Sequence, residues 1–198
     1  MADADPGSGH RGCPEARMTT DEATPLEEKL RRIAHLERGL RPTVPRLIQS
    51  AGRTRAFAVF YRRYGPRADP WLFRKTRGQV AVRLGLPILL LTTTGARSGL
   101  PRVMPLAYVR DGGDFIVVGS NFGQRHHPGW TANLLAHPDA TIEVGPERLP
   151  VTGELVDQAT WERLWPRFVA FYPGYADYLT RCAPRTPRMF RLRPISRQ

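Results

Sequence analysis

The sequence predicts a mostly β protein with peripheral helices, an α+β fold in which six short antiparallel strands close into a barrel. Three observations predict it. From residue 86 onward, short apolar and β-branched runs alternate with turn signals. Two pairs of these runs flank compact turns at 111–114 (Asp-Gly-Gly-Asp) and 145–148 (Gly-Pro-Glu-Arg), a pattern typical of hairpins. Segments with helical spacing interrupt the sheet only twice, so the helices are expected at its periphery.

The first 75 of the 198 residues differ from the rest. The predicted division is a disordered polar extension (1–24), a basic helical segment (25–75) and a barrel domain (76–198). Within the basic segment, we expect one helix from Pro25 to Leu40, with Thr24 as its N-cap. Pro42 and Pro45 interrupt the helical pattern, and a second helix is expected from Arg46 to Tyr64.

The elements of the barrel domain follow from local patterns. Strands are predicted at 86–94, 103–110, 115–120, 140–144, 149–156 and 189–192. Helices are predicted at 128–136 and 157–171, with a further turn or two over 175–181. Asp157 is the expected N-cap of the second of these helices. Trp130 and Leu134 lie on one face of the first, which we expect to pack in the core.

The net charge of +12 indicates an anionic partner, which the composition leaves open among phosphate, lipid headgroups and nucleic acid. Residues 41–75 hold nine basic residues against Asp69 alone. This stretch fits a packed helix with a solvated basic face, a segment lying weakly on an anionic membrane surface, or a contact in a homodimer. No aromatic-rich basic recognition motif accompanies the charge, so nucleic-acid binding is not expected.

The sequence shows none of the patterns of a secreted or membrane-spanning chain. It has no run of 18 apolar residues and no apolar stretch like a secretory signal near the N-terminus. Cys13 and Cys182 lie far apart and suggest neither a disulfide framework nor a metal site. We therefore expect a cytoplasmic protein, with peripheral association at the inner membrane face as an option.

The first motif that could bind a ligand is the turn after the strand that ends in Thr92, Thr93 and Thr94. Its two glycines allow backbone N–H groups to face an anion, and Arg97 and Arg102 add forked, charged donors. The motif suits a phosphate, although it is neither a P-loop nor a dinucleotide fingerprint. A tight hairpin with solvated arginines is the alternative.

The second motif runs from Ser120 to Asn133, where a strand gives way to a loop and then to a helix N-terminus. Unpaired N–H groups and the helix dipole favour anions at such a place. His126 and His127 lack further ligands at metal-binding spacing, so no metal is expected.

The third motif is the set of three tyrosines at Tyr172, Tyr175 and Tyr178, spaced three residues apart. Helical geometry past Gly174 would place them on one side. They fit either an aromatic stripe that closes the core or a pocket wall whose hydroxyls donate hydrogen bonds or protons.

In this order and spacing, the three motifs resemble the deazaflavin-dependent nitroreductase family of F420H2-dependent reductases. The resemblance covers roughly residues 75–194 and rests on TTGARSGLPR at 93–102, SNFGQRHHPGWTANLLAHP at 120–138 and FYPGYADY at 171–178. It implies an FMN-binding-like split β-barrel that holds the deazaflavin ring across its face. It also implies an oxidoreductase that transfers a hydride from reduced F420 to an electron-poor small molecule, such as a quinone, an enone or a nitro compound.

The resemblance also assigns roles by position. Arg97 and Arg102 are expected to bind the phosphate tail of F420. The full set of implied cofactor contacts is Thr94, Arg97, Ser98, Arg102, Pro105, Ser120, Asn121, Gly123, His127, Pro128, Trp130 and Asn133. The implied catalytic residues are Tyr172, Tyr175, Tyr178 and Ser120. Among these, Tyr175 or Tyr172 is the expected hydrogen-bond donor to the acceptor, with Ser120 as the secondary candidate.

Ala96, Asn121 and Ala107 depart from residues that some members of this family carry. The resemblance therefore implies F420 use without identifying the acceptor. Two alternatives stay open, namely an FMN-dependent split-barrel oxidoreductase and a non-catalytic F420 carrier.

Overall fold

Six antiparallel strands form the body of the molecule, in a computed structural model that describes residues 24–39 and 87–196. The strands are β1 (Ile88–Thr94), β2 (Pro101–Asp111), β3 (Asp114–Val118), β4 (Asp139–Val144), β5 (Glu147–Leu155) and β6 (Met189–Pro194). They close into a barrel in the order β1-β2-β3-β6-β5-β4. The predicted six-stranded antiparallel barrel is confirmed.

Four helices and a short 3₁₀ turn surround the barrel in the described residues. The helices are α1 (Pro25–Arg38), α2 (Gly129–Ala136), α3 (Gln158–Phe171) and α4 (Gly174–Cys182), and the 3₁₀ turn is Asn121–Gly123. None of the helices in this part of the chain is long and apolar enough to cross a bilayer.

Alternation along the strands divides the apolar residues into two cores. Phe115 and Val117 of β3 point into the barrel, where they join a core that also contains Trp130 and Leu134. The residues that alternate with them, Ile116 and Val118, point outward and join a second core beneath α3 and α4. The barrel therefore has a packed interior and a separate apolar layer on one outer wall.

Helix α1 closes one end of the barrel. Thr24 and Glu27 form a reciprocal capping box, which confirms the predicted N-cap. Ile33 is fully buried in the barrel core, and the hydroxyl of Tyr108 donates to Glu37 Oε1 at 2.8 Å. The predicted division joined this helix to a basic segment running to residue 75, and the second predicted helix at 46–64 lies outside the described residues.

Helix α3 is capped at its start and is fastened to the barrel by an ion pair. Its predicted N-cap, Asp157, accepts a hydrogen bond from the Thr160 N–H at 2.7 Å. Farther along, Arg163 donates to both carboxylate oxygens of Asp111, at 3.0 and 2.8 Å. This bidentate pair fastens the outer helix to the end of the β2–β3 hairpin.

The candidate motifs leave the barrel at the end opposite α1. In an antiparallel barrel, the end of β1 and the start of β2 lie together, and so do the end of β3 and the start of β6. The register agrees, because Thr94 pairs with Pro101 and Val118 with Met189. The β1–β2 turn and the loop after β3 therefore emerge from one end.

Candidate functional site

The β1–β2 turn is a compact loop that leaves little room for a side chain at its first position. The Gly95 N–H donates to Leu100 O at 2.9 Å, and the Gly99 N–H donates to Gly95 O at 2.8 Å. A Cβ on Gly95 would lie 2.6 Å from Ser98 Oγ and 3.1 Å from Leu100 O. Gly99 adopts a φ of 65°, in the left-handed region. These contacts fix the backbone on which the basic side chains stand.

Two exposed arginines flank this turn. Arg97 and Arg102 are both exposed, and Arg102 Nη2 lies 3.4 Å from Ser98 Oγ. Neither arginine forms an ion pair with a carboxylate within residues 24–39 and 87–196. Their charge is therefore available to an anion at the open end of the barrel.

Asn133 braces the turn from helix α2. Its Nδ2 donates to Thr93 Oγ1 at 2.9 Å, and its Oδ1 accepts from the Ala96 N–H at 3.0 Å. The resemblance implied a cofactor contact for this residue. In the structure its amide joins the end of β1 to the turn, so Asn133 holds the segment that carries Arg97.

The loop after β3 has an unusual backbone. Asn121 and Phe122 adopt φ values of 50° and 53°, and Gly123 follows at 76°. A non-glycine residue in this region costs about 1–2 kcal/mol, so other contacts must hold the conformation. One of these contacts is local, because Asn121 Nδ2 donates to His126 O at 3.1 Å.

Arg185 supplies most of the remaining contacts to this loop. Its guanidinium donates to the carbonyl oxygens of Gly119 at 3.1 Å, Ser120 at 2.9 Å and Gln124 at 2.8 and 3.1 Å. Its Nη1 also lies 3.3 Å from His127 Nδ1. No sequence pattern pointed to Arg185. It stands in a proline-rich turn, Ala-Pro-Arg-Thr-Pro-Arg, whose pattern gives no sign of a long-range contact.

The environment of His127 keeps its ring neutral. Burial is the main cause that lowers the pKa of His127 below its ordinary value, and the charges of Arg188 and Arg185 lower it further. A neutral ring can accept a hydrogen bond from Arg185 at Nδ1. In the part of the chain that the structure describes, no three His, Cys, Asp or Glu side chains cluster as metal ligands.

The other implied cofactor residues lie on α2, at its N-cap and on β2. Pro128 is the N-cap of α2, and Pro105 lies on β2 opposite Leu90. Trp130 is buried in the barrel core with its ring 5.6 Å from that of Phe190, as the stripe with Leu134 predicts. A direct role in cofactor binding stays a prediction for these residues, and for Thr94 and Ser98.

The three tyrosines form a triangle on the outer wall. Tyr172 is the C-cap that follows α3, and Tyr175 and Tyr178 lie on α4, which begins at Gly174. The ring centroids lie 5.9 Å apart for Tyr172 and Tyr175, 5.8 Å for Tyr175 and Tyr178, and 6.0 Å for Tyr172 and Tyr178. The hydroxyls of Tyr172 and Tyr178 are 3.5 Å apart. The spacing therefore brings all three rings together, although two helices supply them.

Burial makes two of these phenols, Tyr175 and Tyr178, hydrogen-bond donors rather than bases. It is the main cause that raises the pKa of Tyr175 and of Tyr178 well above the ordinary value for tyrosine. For Tyr178, the hydrogen bond with Tyr172 adds to the effect. Both hydroxyls thus keep their protons throughout the neutral range.

The loop after β3 and the tyrosine triangle are in direct contact. The rings of Phe122 and Tyr178 lie 5.9 Å apart. A Cβ on Gly123 would lie 3.1 Å from the Cα of Tyr178. Two of the three motifs therefore form one surface, and the β1–β2 turn joins it through α2.

Comparison with known proteins identifies relatives over this region. The model of the F420H(2)-dependent quinone reductase family matches residues 65–188. The F420H(2)-dependent quinone reductase Rv1261c of Mycobacterium tuberculosis is 42% identical over 98 residues, which cover 48% of this chain. The match spans 66% of the length of that curated relative.

Two solved structures share the fold at substantial identity. A structure described as the F420-H2 dependent reductase FDR-A is 36% identical, with a TM-score of 0.50 over 54% of this chain and 93% of its own. A structure described as a domain-swapped dimer is 32% identical, with a TM-score of 0.50 over 63% of this chain and 98% of its own. These matches, with the closed six-stranded barrel, confirm the predicted split-barrel fold class. The chain belongs to the F420H2-dependent quinone reductase family, a family of oxidoreductases whose cofactor is reduced coenzyme F420.

Proposed function

We propose that this chain transfers a hydride from reduced F420 to an electron-poor small molecule, and that a quinone is the acceptor to test first. Family membership and the names of the relatives support the cofactor and the quinone. Enones and nitro compounds belong to the same chemical class of acceptor. The observation that carries the proposal is the pair of exposed arginines on a turn braced by Asn133.

The donor set at the β1–β2 turn fits the anionic end of F420. Arg97 and Arg102 can each offer paired N–H groups to phosphate or carboxylate oxygens. Ser98 Oγ lies 3.4 Å from Arg102 Nη2, so the hydroxyl and the guanidinium stand close together. We assign the phosphate and glutamate tail to these residues, and the ring to the wall between the loop after β3 and the tyrosines.

When bound, reduced F420 supplies the hydride. The residues of this chain would hold the acceptor and stabilise the negative charge that develops on its oxygen. We assign the hydrogen bond to that oxygen to Tyr175 or Tyr172, because a phenol hydroxyl is a suitable donor to a developing oxyanion. Burial raises the pKa of Tyr175, so that this hydroxyl keeps its proton. Ser120, at the edge of the same surface, is the secondary candidate.

Titration with F420 beside FMN at equal concentration tests the cofactor. We expect saturable quenching of F420 fluorescence and much weaker FMN binding. Replacing Arg97 and Arg102 by Gln should weaken F420 binding by about tenfold or more, because charged hydrogen bonds are lost. Arg148→Gln is the matched control, since Arg148 is exposed at the opposite end of the barrel. FMN binding as tight as F420 binding would refute the cofactor assignment. An equal loss of F420 affinity in Arg148→Gln would refute the assignment of the tail to Arg97 and Arg102.

Turnover distinguishes an enzyme from a carrier. Mixing the protein with reduced F420 and a soluble benzoquinone should produce oxidised F420 with a rate that saturates in quinone. Tight F420 binding without turnover across quinones, enones and nitro compounds would favour the carrier.

We further propose a homodimer, because a relative at 32% identity is described as a domain-swapped dimer. Light scattering of the full chain would give the mass. Membrane-surface association through residues 41–75 stays a prediction outside the described residues. Its test is co-sedimentation of the full chain with anionic vesicles, compared with a variant in which Arg53, Arg55, Arg62 and Arg63 are Ser.

A further inference from the structure

Arg185 connects the segment between α4 and β6 to the loop after β3. It lies 65 residues beyond Ser120, to whose carbonyl it donates. The other acceptors, Gly119 O and Gln124 O, stand at the beginning of the loop and after its left-handed residues. One guanidinium therefore binds both sides of the strained segment.

The loop packs against Tyr178 through Phe122 and Gly123, but few other hydrogen bonds hold its backbone in the described residues. Its own backbone contributes the Gly123 N–H to Ser120 O and the Gln124 N–H to Asn121 O, both at 3.0 Å. Without Arg185, three carbonyls would lose their side-chain donor while the backbone still carries two non-glycine residues with positive φ. The conformation of the loop thus depends on a residue outside it.

Only arginine can make this set of contacts. Its fork of N–H groups reaches several acceptors at once, whereas a lysine ammonium is a single point on a flexible stem. No carboxylate pairs with Arg185 in residues 24–39 and 87–196. The Arg185 N–H donates to Cys182 O at 3.0 Å, which fixes its backbone to the end of α4.

We infer that Arg185 is a positioning residue for cofactor binding: it holds the segment from Gly119 to His127 in the shape that meets F420, without itself contacting the cofactor. The inference rests on the proposed function, because Ser120, Asn121 and His127 are expected cofactor contacts. It assigns to Arg185 a role distinct from that of Arg97 and Arg102, which bind the anionic tail directly.

The test compares Arg185→Lys and Arg185→Gln with Arg188→Gln. Arg188 is also partly buried, and its charge also acts on His127. The dissociation constant of F420, measured by fluorescence, should rise by about tenfold in Arg185→Lys, the factor expected when a buried carbonyl loses its donor. It should rise further in Arg185→Gln and stay near the wild-type value in Arg188→Gln. A charge effect alone would instead leave Arg185→Lys unchanged and weaken Arg188→Gln.

Amide hydrogen exchange without F420 gives an independent readout. The Gly123 and Gln124 amides should exchange faster in both Arg185 variants and at the wild-type rate in Arg188→Gln, with the strands unchanged in all three. Wild-type binding and exchange in Arg185→Lys would overturn the inference. Failure of the wild-type chain to bind F420 would refute the proposed function instead, and the exchange rates would still decide whether Arg185 holds the loop. If Arg185→Gln does not fold, Arg185→Lys decides both measurements.

Discussion

At the scale of single residues, Gly174 determines where Tyr172 lies. A Cβ on Gly174 would stand 2.6 Å from the Tyr172 hydroxyl oxygen and 2.5 Å from the ring carbon that carries it. Gly174→Ala must therefore displace this phenol. With Tyr172 as a proposed donor to the acceptor, we expect kcat/KM for the quinone to fall by about tenfold or more, because a misplaced donor loses much of its effect.

The chain offers a matched control for this substitution. Gly129 is also the first residue of a helix, and a Cβ there would meet nothing within 4 Å. Gly129→Ala should leave kcat/KM unchanged. In a Tyr172→Ala background, Gly174→Ala should cost nothing further. An equal loss with and without the Tyr172 ring would show that Gly174 acts through something other than this contact.

The tyrosines and Arg185 show what residue patterns reveal about a site. Tyr172, Tyr175 and Tyr178 were found because helical spacing and a family resemblance both point to them. Their packing into one triangle adds the physical fact that burial keeps two of the phenols protonated. No such pattern points to Arg185, because its partners are backbone carbonyls about 60 residues away in the sequence. Every residue has a backbone carbonyl, so a contact of this kind has no sequence signal.

At the scale of elements, α1 belongs to the barrel. Ile33 is fully buried in the barrel core, with Leu26 and Leu30 packed beside it. Ile33→Ala should lower the free energy of unfolding by about 2–5 kcal/mol, as expected for a buried aliphatic residue. Urea unfolding measures this, with the exposed His35→Ala on the same helix as control. A loss below about 1 kcal/mol would contradict the packing of α1 against the barrel.

Local sequence patterns predicted which strands and helices form. The residues at which these elements end depend on contacts with other parts of the chain. β2 begins at Pro101 rather than at Val103, because it continues the ladder with Thr94. β3 ends at Val118 rather than at Ser120, because Ser120 adopts helical backbone angles, φ −66° and ψ −32°, where the 3₁₀ turn begins. The packing of α1 against the barrel could likewise not be predicted from the sequence of α1, because an amphipathic pattern shows that one face is buried but not which surface it packs against.

At the scale of the whole molecule, three buried tyrosines make stability depend on alkaline pH. Burial is the main cause that raises the pKa of Tyr108, Tyr175 and Tyr178 well above 10, the ordinary value for tyrosine. Tyr108 lies against α1 at one end, while the other two lie on the outer wall. The hairpins in the sequence predicted a closed barrel. The closed barrel joins the end at α1 and the outer wall into one cooperative unit.

The sign of this dependence follows from proton binding. Below pH 10 the three phenols are protonated in both states, so they add no slope to the free energy of unfolding. Above pH 10 the unfolded chain loses these protons and the folded chain keeps them. Stability must then fall by about 1.4 kcal/mol per pH unit for each tyrosine. Urea unfolding between pH 8 and about 11 measures the slope. Tyr108→Phe should reduce this slope by about one third, because Phe fills nearly the same space and has no hydroxyl proton to lose. A wild-type curve that stays level through this range would contradict the burial of all three hydroxyls.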